Sequence, residues 1–288
     1  MSTSHPPVII IGMHRSGTTM ITRLLESLGL FVGEKKEDNH EAIFFHRINL
    51  WIASQCGGFW DHPEPIHELV ENRDIRALVT NYIDRYLLQS PRTVNFLGWR
   101  KYLRYRNPRN LDVPWGWKSP LNTYTLPLWL DLFPEAKVIH IYRHGVDIAQ
   151  SLKVRGRREM KRTRLQQLYY DLPFLHWIKP KPGSFIDSVR CDSLEGGLSL
   201  WEEYFSEART HIGSMGERAV EVKYEDFLAE PTQTLMQLAA FCGVTSDKAA
   251  VELAAGRVKI ERAYAYRRDP ELQAFADQVA QRLVTNSY

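Results

Sequence analysis

Cysteine is scarce in this chain. Cys56, Cys191 and Cys242 stand far apart, with no Cys-x-x-Cys pair and no spacing that would hold zinc. That excludes a disulfide-built scaffold and suits reduced thiols, so a cytoplasmic setting is expected. No apolar run approaches the ~18 residues of a spanning helix, and no basic segment with an apolar core opens the sequence. Neither a membrane span nor secretion is expected. Charge of one sign is also lacking: 37 basic against 34 acidic residues leave +3, too mild for a nucleic-acid binder, so no nucleic-acid partner is expected. No acidic cluster suited to Mg²⁺ is visible, so no metal is expected. Internal repeats, linkers and low-complexity segments are absent. What remains, 288 residues at 44% hydrophobic and 25% charged, has the composition of a globular domain. It reads as one domain over 1–288, with a basic, irregular insert at about 156–190.

The chain is organised around residues 8–29, VIIIGMHRSGTTMITRLLESLG. Val8 to Ile11 is a β-branched run that reads as a buried parallel strand. A glycine-bounded polar turn follows, then Met20, Ile21, Leu24, Leu25 and Leu28 at helical spacing, with Gly29 at the helix end. Strand, tight loop and helix aim backbone N–H groups and the positive end of a helix at one anion. Small residues Ser16, Gly17, Thr18 and Thr19 let a phosphate approach, and Arg15 adds a forked charge. The loop almost matches the G-x-x-x-x-G-K-[ST] phosphate pattern, but Thr18 stands where the lysine belongs. Ordinary ATP or GTP chemistry is therefore disfavoured.

Further along, Phe44, Ile48, Trp51 and Ile52 read as one helix stripe. Residues 59–66 read as an aromatic and proline loop, and a helix runs from Ile75 to a stop before Pro91. Residues 92–111 show no clear period. Trp115 to Trp117 is a candidate short strand and Leu126 to Phe133 a short helix. Lys137 to Tyr142 and Ala219 to Val222 read as strands. Helices are expected over Gly145 to Lys153, about 193–213, Pro231 to Cys242 and 270–284. Strands alternating with helices predict an α/β fold: a P-loop-like central parallel sheet with helices on both faces, its ligand site at the carboxyl ends of the strands.

Arg143 directly follows one of those strands, and Ser151 lies eight residues later on the next helix. Both can reach a second phosphate beside the first loop. Read together, HRSGTT, WKSP, FPEAKVIHIYRHGVDIAQS and VKYEDFLAEPTQTLMQLAAFCGV resemble the sulfotransferases that use 3′-phosphoadenosine 5′-phosphosulfate (PAPS), in order from residue 8 to about 244. The resemblance implies that Arg15, Ser16, Gly17, Thr18 and Thr19 form the 5′-phosphosulfate loop. It implies that Arg143 and Ser151 bind the 3′-phosphate, the group that separates this donor from ATP. Arginine at position 15 is similar to tyrosylprotein and many bacterial members. The small-molecule enzymes carry Lys-Thr-His with the histidine as base, whereas this chain reads Lys118-Ser119-Pro120. Lys-Ser/Thr-Pro is similar to the heparan sulfate enzymes, whose base is a glutamate in a Glu-x-x-Phe-Phe segment. That carry-over lands on Glu41, ahead of Phe44 and Phe45.

Glu41 is thus the candidate general base, with His40 and His46 as rivals. Lys118 and Arg15 are the candidates for stabilising charge on the leaving phosphate. The expected acceptor is a small molecule or glycan hydroxyl, with an amine as the alternative. Residues 153–164, KVRGRREMKRTR, form either a solvated face or a wall that draws an anionic acceptor. Arg257, Lys259, Arg262, Arg267 and Arg268 lie where related enzymes return a basic loop to the 3′-phosphate. Two other readings fit the loop: a small-molecule or nucleotide kinase with an altered phosphate loop, and a non-catalytic nucleotide- or RNA-binding protein.

Overall fold

Four parallel strands in the order β2-β1-β3-β4 form the centre of the computed structural model, which describes residues 5–160, 171, 172, 174, 187–286 and 288. They are β1 (Val8–Ile11), β2 (Gly116–Lys118), β3 (Lys137–Tyr142) and β4 (Ala219–Lys223). Every residue of β1 is buried, as expected of an inner strand covered on both faces. Its side chains alternate between two cores. Ile9 and Ile11 join the larger cluster with α2 (Ile43–Gln55), α6 (Asn122–Leu132) and the helix Leu194–Ile212. Val8 and Ile10 join the cluster with α1 (Thr18–Leu28) and the helices Pro231–Cys242 and Lys248–Ala255. Helices therefore cover both faces of the sheet.

A buried polar network locks the larger face in register. Asn122 Nδ2 donates to Ile10 O on β1 over 3.1 Å. Its Oδ1 accepts from Asn49 Nδ2 on α2 (2.7 Å) and from Trp117 Nε1 on β2 (3.1 Å). Asn49 Oδ1 in turn accepts from Thr125 Oγ1 and Trp129 Nε1, both at 2.9 Å. A fully paired network of this kind permits one arrangement of α2, α6, β1 and β2. It thereby fixes Glu41, just before α2, relative to Lys118 at the end of β2. Phe45 stacks flat on Trp117 at 4.0 Å, so this aromatic is core.

Several elements depart from the sequence reading. The segment expected as loop over 59–66 gives way at Glu64 to α3 (Glu64–Glu71), because Pro65 sits in the first helical turn, where no N–H is needed. The Ile75 helix begins earlier, as α4 (Arg73–Tyr82), and its stripe continues as a π-helical turn, Ile83–Leu88. Residues 92–111 hold α5 (Val94–Tyr105), broken at Gly98 (φ 70°), and that break erases the phase that a period search needs. The helix after β3 does not stop at Lys153; α7 runs over Gly145–Met160 and takes in the start of the expected insert. Most of the rest of 156–190, and the end of the basic run 153–164, lies outside the described residues. The tail helix is split at Val279 into Pro270–Gln278 and Ala280–Thr285.

Candidate active site

The loop after β1 is shaped by two glycines. Gly12 has φ +131°, and a Cβ there would lie 2.2 Å from the Ile141 carbonyl oxygen on β3. Gly17 has φ +100° and begins α1; its Cβ would lie 2.4 Å from Tyr224 Cδ2. Only glycine fits either place. Between them Arg15 adopts φ +70°, an uncommon conformation for a residue with a side chain. No side chain caps α1, so its first N–H groups remain available to a ligand. Ser16 is fully buried, and both its hydroxyl (2.8 Å) and its amide (3.3 Å) donate to Met13 O, so it shapes the turn from within. The Thr19 hydroxyl donates to Asn39 O over 3.0 Å.

A cleft of about 700 Å³ opens over this loop. Arg15, Gly17, Thr18, Thr19, Glu41, Lys118 and Arg143 line it together, although they come from four separate stretches of chain. Ser151 reaches the group from α7: Arg15 Nε donates to its Oγ over 2.8 Å. Arg143 leaves the end of β3, and its Nη2 donates to Asp147 Oδ2 and to Arg262 O, both at 2.9 Å. Its guanidinium lies 4.9 Å from the centre of the Tyr224 ring, and its buried Nε has no hydrogen-bond partner among the described residues. Loss of water around the Arg15 guanidinium lowers its affinity for a proton, and repulsion from Arg155, Arg143, Arg262 and Arg158 adds to this. Such crowded positive charge favours a bound anion.

Of the five C-terminal candidates, Arg257, Lys259 and Arg262 line the cleft. Arg267 instead stacks over Tyr264 (4.2 Å) in a separate groove, whereas Arg268 lines a groove beside the cleft that Arg15, Arg143, Ser151 and Arg262 also line.

At the other end of the cleft, Lys118 Nζ sits 2.8 Å from Glu41 Oε1 and donates to Asn39 O over 2.9 Å. Both charged side chains are buried, at 3% and 5% exposure. His46 Nδ1 lies 2.7 Å from the other Glu41 oxygen. Burial works to raise the Glu41 carboxyl, but the His46 contact and the Lys118 charge outweigh it and hold it at about 2. Burial lowers Lys118, with Glu41 opposing. His40 is engaged elsewhere, 2.5 Å from Glu26 on α1. Thus one of the two rival histidines touches the candidate base and the other does not.

Two cleft residues escaped the sequence reading. His14 lines the cleft beside Glu41, edge-on to Trp60 at 4.9 Å, and burial pushes it down to about 3. Its signal was its place in the loop next to Arg15. Tyr224, which walls the loop glycine, follows β4 at the strand end, where ligand contacts concentrate. Among the described residues, no group of three or more His, Cys, Asp or Glu could hold a metal ion.

The model of the sulfotransferase family matches residues 6–248. The chain belongs to the sulfotransferase family. It is an enzyme, and sulfuryl transfer is its chemistry. Among solved structures, this sulfotransferase is similar to the sulfotransferase domain from the curacin biosynthetic pathway, at 15% identity, covering 96% of this chain and 98% of that one, with a TM-score of 0.50. That likeness shows a shared fold. It is also similar to a sulfotransferase from Alicyclobacillus acidocaldarius (17% identity, 99% and 94% coverage, TM-score 0.49). A third is the sulfotransferase domain of an olefin synthase from Synechococcus PCC 7002 (18%, 87% and 77%, 0.42). Comparison with curated proteins gives no match. No helix among the described residues of this sulfotransferase is long and apolar enough to cross a membrane.

Proposed function

We propose that this sulfotransferase, acting as one domain in the cytoplasm, takes its sulfuryl group from PAPS and delivers it to a hydroxyl or amine of a small-molecule or glycan acceptor. The observation that carries this reading is the Arg15–Ser151 hydrogen bond, which joins the loop after β1 to the helix after β3. A nucleotide with phosphates on both the 5′ and 3′ positions needs such a joined pair of anion sites. The buried Arg143 Nε, without a hydrogen-bond partner among the described residues, is a donor that suits the extra 3′-phosphate. Three unpaired cysteines suit a reducing compartment.

The residues divide the work as follows. The N–H groups at the start of α1, with Gly17, Thr18 and Thr19, would hold the 5′-phosphate end, and the backbone of Ser16 completes the turn. Arg143 and Ser151 would hold the 3′-phosphate, with Arg257, Lys259 and Arg262 adding charge. Met20, Leu24, Val258 and Tyr224 offer an apolar wall for the base of the nucleotide. When bound, PAPS supplies an activated sulfuryl group whose departure leaves charge on a phosphate oxygen. Lys118 and Arg15 are placed to share that charge.

Glu41 would accept the acceptor's proton. Held at about 2 by His46 and Lys118, it is ionised at neutral pH, as a base must be. The same contacts make it a weak base while they last. If Lys118 turns its ammonium toward the leaving group, Glu41 loses a stabilising charge and its proton affinity rises. The buried pair thus ties leaving-group stabilisation to proton removal.

Thermal shift tests the donor assignment against a kinase reading. Adenosine 3′,5′-bisphosphate should raise the melting temperature more than ADP with Mg²⁺ at equal concentration. The reverse order, together with Mg²⁺-dependent ATP turnover, would overturn it.

A further inference from the structure

Asp147 stands in the first turn of α7, four residues after Arg143, and its side chain is 2% exposed. Its carboxylate accepts three hydrogen bonds. Oδ2 accepts from Arg143 Nη2 (2.9 Å) and from the Ala265 amide (3.1 Å), and Oδ1 accepts from the Tyr266 amide (2.8 Å). The same Arg143 nitrogen donates to Arg262 O. One buried carboxylate therefore joins an arginine of the sheet end to a segment more than a hundred residues later.

That segment needs a clamp. It consists of two short turns, Ile260–Arg262 and Ala265–Arg268, separated by Tyr264 in a left-handed conformation (φ +47°). Short turns of this kind have little stability of their own. Asp147 receives the N–H groups that open the second turn, as a capping carboxylate does. His144, the residue after Arg143, stacks on Tyr266 at 4.3 Å and reinforces the same contact. Upstream, the segment brings Arg257, Lys259 and Arg262 to the wall of the cleft.

We propose that Asp147 is a positioning residue for the nucleotide 3′-phosphate: it holds Arg143 and the 257–268 segment on one carboxylate, so that their cations converge. This rests on the PAPS reading above. An acid at the start of a helix could also act only through the helix dipole. That role would bind neither Arg143 nor Ala265 and Tyr266, and it would not distinguish nucleotides with and without a 3′-phosphate.

The test uses the full chain, with adenosine 3′,5′-bisphosphate and adenosine 5′-monophosphate as probes. In the unaltered protein, amide exchange at Ala265 and Tyr266 should be slow, and slower still with the bisphosphate but not with the monophosphate. Asp147→Asn keeps the shape and loses the charge. It should speed exchange at both amides and weaken the bisphosphate about 10-fold or more, as for loss of a charged partner, with the monophosphate nearly unchanged. Asp147→Glu moves the carboxylate by one methylene and should show the same pattern more mildly. Fast exchange in the unaltered protein, or equal loss of both nucleotides in the variants, overturns the proposal. Equal affinity of the unaltered protein for the two nucleotides, with slow exchange at both amides, instead overturns the PAPS reading and leaves the clamp itself standing.

Discussion

Lys118 and Glu41 are partners in one buried ion pair, 2.8 Å apart, although the proposed mechanism asks each for a different task. Removing one partner of a buried pair leaves an uncompensated charge, at a cost of about 3–5 kcal/mol. Stability and turnover are therefore entangled here and need separate measurement.

Glu41→Gln should lower turnover roughly 10²-fold or more, while the affinity for adenosine 3′,5′-bisphosphate stays within a few-fold. Lys118→Met should lower both turnover and melting temperature. His40→Ala should be mild, since His40 contacts Glu26 rather than Glu41. Steady-state rates, calorimetric affinity and melting curves on the three variants decide the matter. Near-normal turnover in Glu41→Gln would remove it as the base.

Gly17→Ala places a Cβ 2.4 Å from Tyr224 Cδ2 at a φ of +100°. Backbone strain alone costs on the order of 1–3 kcal/mol, and Tyr224 must also swing off the loop. Bisphosphate binding should weaken strongly. Because Tyr224 is itself core, the contact is read from a double-mutant cycle: Gly17→Ala should cost less stability in a Tyr224→Ala background than in the unaltered chain, while binding stays weak. An equal cost in both backgrounds would contradict the contact.

The C-terminal basic residues should not be equivalent. Arg262→Ala should weaken the bisphosphate about 10- to 100-fold, for a charge-assisted contact of ~1.5–3 kcal/mol. Arg267→Ala should change it little, because Arg267 lies outside the cleft against Tyr264. Isothermal titration of both variants checks this, and equal effects would refute the division.

Acid should destabilise the fold before the carboxylates titrate. Burial holds His14 at about 3 and His144 at about 4, against an ordinary 6.5. Between about 4 and 6.5 the unfolded chain binds protons that the folded chain does not, so stability rises with pH in that window. His144 alone gives a slope of at most about 1.4 kcal/mol per pH unit. Glu225, whose carboxyl burial raises, opposes this just above 4.5. Glu41 adds its own loss only as pH falls from about 4.5 toward 2. Urea midpoints across pH 4–7 should fall on acidification, less steeply in a His14→Gln, His144→Gln variant. A flat profile for the unaltered chain would count against the burial of these rings.

The sequence made the sheet and its first loop legible because both are written locally. Val138, Ile139 and Ile141 make Lys137–Tyr142 a mostly β-branched run, and Gly12 and Gly17 mark the places where the loop admits no side chain. That Arg143 and Ser151 stand near the first loop was legible because a strand end and the helix after it are local as well; their pairing as a site came only from the resemblance. The partnership of Lys118 with Glu41 was not, since it depends on how α2 docks through Asn49 and Asn122. His14 was hidden for the opposite reason: in a loop of small and charged residues it looked like one more polar side chain. The broken α5 shows a third kind of loss, because Gly98 shifts the phase midway through the helix.

Sheet order also sets a schedule. With β1 inside the sheet, the loop that follows it is synthesised well before its partners: Arg143 and Ser151 come first, then Tyr224 after β4, and Arg257 to Arg262 later still. Synthesis runs at about 5–20 residues per second, so the loop waits for its far wall for on the order of ten seconds or more. Arg15 gains Ser151 about half-way through that interval, and Gly17 gains Tyr224 only near its end. The cleft is thus complete only once Arg262 has emerged, and a nascent fragment that stops before it lacks that wall.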